Sequence, residues 1–191
     1  MPEAPRSAIL SDGGLAALIA CAADAERSHG AQPGLVVFVP SGKNRDDDRR
    51  TAAGNHARTF GQAFLALDPV ANGQWSRAES VSARLLHAAH AAARAEATEL
   101  IWPVQPGGRN GSNLPDIDAM AADVDRALLV ERLVSLDSAN HAADFRISTP
   151  YIDLSDRQIA DLATDMGVDV TTCWWWKAEG EPAAVDRLRC C

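Results

Sequence analysis

Short apolar runs alternate with longer helical patterns along this sequence, and that alternation limits its possible folds more than any other feature. The run LVVFVP at 35–40 has β-branched residues and no polar position, which is typical of a strand buried on both faces. A similar run, TELIWPV, occupies 98–104. Strands that alternate with helices of about a dozen residues form a parallel sheet with helices on both faces. The predicted fold class is α/β, with a Rossmann-like parallel sheet.

The other elements follow from local signals. A first strand at 6–11 leads through a glycine turn at 12–14 into a helix rich in alanine and leucine at 15–28. Further helices are predicted at 47–63, 77–97 and 115–136, and a short strand with a turn within 145–154. The segment AFLAL at 63–67 fits the end of a helix or a strand, and both stay open.

The last predicted helix has clear signals at both ends. Ser155 and Gln158 form the pattern of a capping box, in which each side chain binds a backbone N–H of the first turn. Gly167 is expected to end this helix, because glycine readily adopts the left-handed conformation found there.

The overall composition excludes several classes of protein. The 191 residues carry a formal net charge of −8, whereas non-specific nucleic-acid binding needs clustered lysine and arginine. No apolar run approaches the roughly 18 residues that a membrane span requires, and the start MPEAPRSAIL does not resemble a signal peptide. We therefore expect a cytoplasmic protein with a small-molecule ligand and neither membrane nor nucleic acid as partner. The oligomeric state stays open, a homodimer included.

Ligands of parallel sheets bind at the carboxyl ends of the strands. The loops predicted at that edge are 11–14, 40–45, 105–116 and 150–155. In the first, Asp12, Gly13 and Gly14 lead into a helix whose N-terminal N–H groups favour an anion, so they are candidate nucleotide-binding residues. Lys43 and Arg109 are the cations best positioned for a phosphate, although each also fits a solvated loop residue.

Three stretches carry a resemblance to a known family. Residues 149–174, TPYIDLSDRQIADLATDMGVDVTTCW, contain Thr-Pro, Asp-Leu-Ser, Gly-Val and Cys-Trp in that order. This order resembles the 7-cyano-7-deazaguanine synthase family. Its members make a queuosine precursor and belong to the PP-loop ATP pyrophosphatases. NLPDIDAM resembles its substrate loop through Pro115 and Asp116, and the opening turn resembles its PP-loop. The resemblance implies ATP and Mg²⁺ as cofactors and a purine-like substrate bound by Pro115, Asp116 and Asp153.

The opening turn departs from the PP-loop pattern Ser-Gly-Gly-x-Asp-Ser. With the glycines aligned, Asp12 replaces the first serine, and Ala16 and Ala17 replace the later aspartate and serine. At ~4 Å and an effective dielectric of about 20, two like unit charges repel by roughly 4 kcal/mol. Two charge-assisted backbone hydrogen bonds, at roughly 1.5–3 kcal/mol each, do little more than offset this. We expect Asp12 to accept the turn's N–H groups itself, and ATP to bind weakly or not at all.

The C-terminal cysteines match the family's zinc site in part. Cys173 corresponds to the cysteine that follows the last helix, and Cys190 and Cys191 come after it. Three sulfurs leave the fourth position of a tetrahedral zinc site open, so the site is either degenerate or continued beyond this sequence. The resemblance implies a PP-loop-type domain over 1–170, a cysteine-containing segment over 171–191, and zinc as a further cofactor.

Two functions remain open from the sequence. One is a non-catalytic descendant that binds a nucleotide or purine-like ligand, which the three altered positions of the turn favour. The other is an active ATP-dependent ligase that adenylates a carboxylate and uses ammonia, as the resemblance implies. The run WWW at 174–176 fits either stacking on a purine base or packing at a domain edge or oligomer interface.

Overall fold

A computed structural model describes residues 6–28, 33–42, 44–69, 77–106, 116–137 and 145–176. The strands in this part of the chain are β1 Ser7–Leu10, β2 Leu35–Phe38, β3 Ala63–Ala66, β4 Glu99–Ile101 and β5 Arg146–Ser148. The α-helices are α1 Leu15–Ser28, α2 Asp46–Thr59, α3 Arg77–Arg94, α4 Ile117–Asp137 and α5 Asp156–Asp165. A 3₁₀ helix, Val170–Thr172, follows α5. No helix among these residues is long and apolar enough to cross a membrane.

The strands form one parallel sheet in the order β3-β2-β1-β4-β5. Ala8 pairs with Leu35 of β2 on one side and with Leu100 of β4 on the other. The unbroken apolar runs predict that 8–11, 35–39 and 99–104 are neighbouring parallel strands. β1, β2 and β4 pair in this way, although β4 ends at Ile101. The ambiguous segment AFLAL forms β3, which pairs in parallel with β2 at the edge of the sheet.

Successive residues of the central strands enter two separate cores, as the twofold periodicity of a strand requires. On one face, Leu10, Val37 and Leu100 pack with buried residues of α3 and α4. On the other face, Ile9 and Val36 pack with buried residues of α1, α2 and α5. Helices cover both faces of the sheet, so the predicted α/β class is confirmed.

Several predicted boundaries were too long. The helix predicted at 47–63 ends at Thr59, because Gly61 turns the chain with φ of +66° before β3 begins. The helix predicted at 77–97 ends at Arg94, and Glu96 adopts φ of +63° beyond it. The strand predicted at 98–104 ends at Ile101, ahead of Pro103, which has no N–H to donate to a neighbouring strand.

The signals around α5 were correct. The Ser155 side chain accepts the Gln158 N–H, and the Gln158 side chain accepts the Ser155 N–H, which completes the capping box. Gly167 follows the helix with φ of +61°. The helix predicted at 115–136 is α4, which begins at Ile117 and ends one residue later than expected, at Asp137.

Candidate functional site

The strand order reverses beside β1. The chain passes outward from β1 through β2 to β3, then crosses to β4 and β5 on the opposite side of β1. Ligands of open parallel sheets bind outside the carboxyl ends of the strands at such a reversal. The loop after β1, residues 11–14, lies at this position, and we call it the glycine turn.

Side chains of the glycine turn bind its own backbone N–H groups. The Gly13 N–H donates to Ser11 Oγ at 3.1 Å, and the Gly14 N–H donates to Asp12 Oδ1 at 2.8 Å. Ser11 is fully buried, and its N–H donates to the Val37 carbonyl at 2.9 Å. Asp12 thus accepts an N–H of the turn, as predicted, and occupies a donor that a phosphate oxygen would otherwise use.

Helix α2 packs closely against the glycine turn. Gly13 has φ of +74°, and a Cβ atom there would lie 2.6 Å from the Arg49 carbonyl oxygen and 2.9 Å from Ala52 Cβ. On another side of the turn, the backbone N–H of Trp174 donates to the Gly13 carbonyl at 3.1 Å. The turn is therefore held between the start of α2 and the segment that follows the 3₁₀ helix.

A second carboxylate binds the neighbouring loop between β2 and α2. Asp46 accepts the Ser41 hydroxyl at 2.7 Å through Oδ1 and the Gly42 N–H at 2.8 Å through Oδ2. Two adjacent loops at the carboxyl edge of the sheet therefore each use a carboxylate of this chain as the acceptor for a backbone N–H.

Arg84 of α3 contacts the end of β2. Its Nε and Nη2 donate to the Val39 carbonyl at 3.1 and 2.9 Å. Burial lowers the pKa of Arg84, and the Asp12 and Asp46 carboxylates act in the opposite direction. An arginine keeps its charge under these conditions, so a positive charge lies near the two acidic loops.

Two arginines at the start of α2 pack on Trp174. The guanidinium carbon of Arg49 lies 4.5 Å from the ring centroid, and that of Arg45 lies at 5.8 Å. Both distances are within the range of a cation–π contact. Trp174, the first residue of the WWW run, thus contributes to packing beside the glycine turn.

Arg45, Arg49 and Arg84 were not predicted as site residues. The run RDDDRR at 45–50 is also typical of a solvated helix start. Arg45 precedes α2 in a left-handed conformation, with φ of 76°, so helical spacing does not bring it to the side of Arg49. The role of Arg84 depends on how α3 packs across the sheet, which no local pattern specifies.

His56 lies on the buried side of α2. It is fully buried, and burial lowers the pKa of its imidazole, whereas a backbone group of Thr172 and the Asp12 carboxylate act in the opposite direction. The ring is therefore neutral at neutral pH.

This burial gives an expected pH dependence of stability. Because the pKa of His56 is lower in the folded state, below about pH 6.5 the unfolded chain takes up a proton that the folded chain does not. The free energy of unfolding should fall as the pH drops from 6.5 towards the folded pKa, by at most about 1.4 kcal/mol per pH unit from this group. Urea unfolding at several pH values should give a shallower dependence for His56→Gln. Identical slopes for the two proteins would contradict this assignment.

The structure describes only part of the predicted ligand-binding set. Asp12, Gly13 and Gly14 lie together in the glycine turn. Asp116 accepts the Ala119 N–H at 3.2 Å at the start of α4. Asp153 is exposed in the turn after β5. The predicted residues outside the described ranges are Lys43, Arg109, Pro115, Cys190 and Cys191.

Cys173 is the one predicted zinc ligand within the described ranges. Its side chain is buried, and its N–H donates to the Val170 carbonyl at 3.2 Å. In the part of the chain that the structure describes, no group of three or more His, Cys, Asp or Glu side chains could hold a metal ion. Zinc binding by Cys173 with Cys190 and Cys191 stays a prediction.

Comparison with known proteins shows the fold alone. No family model matches the sequence, and no curated protein matches it. The fold is similar to that of the U34-tRNA thiolase NcsA from Methanococcus maripaludis, solved with its 4Fe–4S cluster, with a TM-score of 0.60 and 13% sequence identity. The match covers 98% of this chain and 62% of the thiolase chain, so this chain spans less than two thirds of its length. This likeness shows a shared α/β fold alone, and the resemblance to the PP-loop enzymes and to the synthase family stays a proposal.

Proposed function

We propose that this chain is a diverged PP-loop protein that binds a purine-like ligand without carrying out the pyrophosphate chemistry of ATP. The observation that carries this proposal is the Asp12 carboxylate, which accepts the Gly14 N–H at 2.8 Å. A phosphate bound at the glycine turn would meet a like charge where the PP-loop pattern has a serine hydroxyl. Ala16 and Ala17 add no hydroxyl or carboxylate that could bind a phosphate or Mg²⁺.

The proposed ligand class rests on the surroundings of the turn. The backbone N–H of Trp174 donates to the Gly13 carbonyl, and the Trp174 ring lies beside the guanidinium groups of Arg45 and Arg49. Aromatic and guanidinium planes stack on flat heterocycles, and guanidinium groups also donate to ring nitrogen and carbonyl acceptors. This combination favours a planar heterocycle such as a purine over a triphosphate as the ligand bound near the glycine turn.

A second candidate is the ATP-dependent ligase. It is favoured by the positive charge of Arg45, Arg49 and Arg84 around the acidic loops, which a triphosphate could neutralise. In that reaction ATP would convert a carboxylate oxygen of the substrate into a good leaving group before ammonia attacks, and this chain would contribute by binding and orienting the reactants.

Calorimetric titration of the unmodified protein separates the two functions. We expect a purine nucleoside without phosphates to bind at least as tightly as ATP–Mg²⁺, because it brings no charge towards Asp12. We also expect no release of pyrophosphate from ATP. Micromolar binding of ATP–Mg²⁺, or pyrophosphate release, would replace this proposal with the ligase. Failure of every purine nucleoside to bind would remove the ligand class.

A further inference from the structure

Helix α4 has an exposed apolar surface on the side opposite its buried face. Ala127, Val130 and Val134 form the buried face. Large apolar side chains are exposed on the opposite side, Leu129 with 72% and Leu128 with 56% of their surface. We call this surface the outer stripe, and its members are Ile117, Val124, Leu128, Leu129, Leu133 and Leu136.

Polar contacts fix the rotation of α4. Arg126 Nε donates to Ser82 Oγ of α3 at 2.9 Å. Glu131 Oε2 accepts the Ile147 N–H of β5 at 2.9 Å. Since these contacts hold the inner side of α4 against α3 and the sheet, turning the outer stripe inward would break them and expose the buried valines.

The outer stripe has the composition of a protein–protein interface. Large apolar side chains exposed together along one side of a helix are typical of an interaction surface. Three exposed charges, Asp118, Asp125 and Arg132, follow one another at seven-residue intervals, so they lie on the same side of α4 as the stripe. Asp125 and Arg132 lie in its middle, so any partner that covers the middle of the stripe must satisfy these two charges.

We propose that the outer stripe pairs with the outer stripe of a second copy of this chain, with the two α4 helices antiparallel. A twofold axis passing between Leu128 and Leu129 puts Asp125 opposite Arg132 of the partner subunit, and Arg132 opposite Asp125 of the partner subunit. One symmetric arrangement thus pairs both charges twice, as the self-complementary surface of a twofold dimer requires.

The same axis also matches the apolar residues. It sets Leu128 against the partner subunit's Leu129, Val124 against the partner subunit's Leu133, and Ala121 against the partner subunit's Leu136. Every residue of these three pairs is exposed in the single chain. Two leucines meet at the axis, and on either side of it a smaller side chain, Val124 or Ala121, faces a leucine of the partner subunit.

Parallel pairing does not satisfy the charges. With the two helices parallel and in register, Asp125 would face Asp125 of the partner subunit, and the two Arg132 side chains would also face one another. Like charges at the centre of an interface are destabilising and select against that orientation. The charge pattern thus specifies the antiparallel dimer.

Charge reversal tests the pairing directly, with sedimentation velocity of the full chain as the measurement. We expect the unmodified protein to be a dimer. Asp125→Arg alone, or Arg132→Asp alone, puts two like-charged pairs into the interface and should weaken self-association by at least about 100-fold. An equimolar mixture of the two variants should form dimers again, because each Arg of one chain then faces an Asp of the other.

A matched control uses an exposed aspartate on another helix. Asp161→Arg on α5 changes the net charge by the same amount and should leave the dimer intact. A monomeric unmodified protein, single variants that dimerise as tightly as the unmodified protein, or a mixture that stays monomeric would each overturn the proposal. Circular dichroism of each single variant shows whether it is folded, and the mixture tests the charge pairing with the same two chains.

Discussion

Replacing Asp12 with serine is expected to raise the affinity for ATP–Mg²⁺ by between about fivefold and a thousandfold. Like unit charges ~4 Å apart repel by about 1 kcal/mol in water and by about 4 kcal/mol at an effective dielectric of 20, which sets this range. Asp12 is exposed, so screening by water draws the gain towards its lower end. The substitution also leaves the Gly14 N–H without its carboxylate acceptor at 2.8 Å. Calorimetric titration of the variant beside the unmodified protein measures the gain.

The control for this substitution is Asp165→Ser. Asp165 is also an exposed aspartate, at the end of α5, and its replacement alters the net charge equally. Its removal should leave ATP affinity unchanged within about twofold, because solvent screens exposed charges that do not contact the ligand. Equal gains from both substitutions would mean that net charge, rather than the carboxylate in the glycine turn, opposes ATP.

Binding and turnover should separate in this series. Asp12→Ser alone should bind ATP–Mg²⁺ without releasing pyrophosphate, because Ala16 and Ala17 still lack the polar groups of the PP-loop pattern. Adding Ala16→Asp and Ala17→Ser should be necessary before any release is detected. Pyrophosphate release by the single variant would show that those two positions are not needed for the chemistry.

The fold was predictable where burial alone selects the structure. The run at 35–40 is apolar at every position and has β-branched residues, which is typical of a strand covered on both faces, so β2 and its complete burial followed. The segment AFLAL stayed ambiguous because β3 is an edge strand, and Phe64 is 38% exposed there. A short apolar segment that is only partly buried has no periodicity to distinguish a strand from a helix end.

Within the site, only contacts between residues that are close in the sequence could be predicted. Asp12 and Gly14 are two residues apart, and an aspartate often accepts the N–H two residues on, so their contact could be expected from the sequence. The contact of Trp174 with Arg49 joins residues more than a hundred positions apart. It depends on how α2 and the chain after α5 meet over the glycine turn, which no local pattern specifies.

Gly13→Ala is expected to lower the free energy of unfolding by about 2 to 5 kcal/mol. A residue with a Cβ at φ of +74° costs about 1 to 2 kcal/mol in backbone strain. The added Cβ would also lie 2.6 Å from the Arg49 carbonyl oxygen, and forcing packed atoms apart costs about 1 to 3 kcal/mol more. Urea unfolding followed by circular dichroism measures the loss.

Gly61→Ala isolates the steric part of that loss. Gly61 has nearly the same backbone angle, φ of +66°, but a Cβ there would meet nothing within 4 Å. We therefore expect it to cost only the strain of about 1 to 2 kcal/mol. The difference between the two variants is the cost of moving α2 away from the glycine turn, because the backbone strain is common to both. Equal losses would show that α2 moves aside at the glycine turn without a measurable cost.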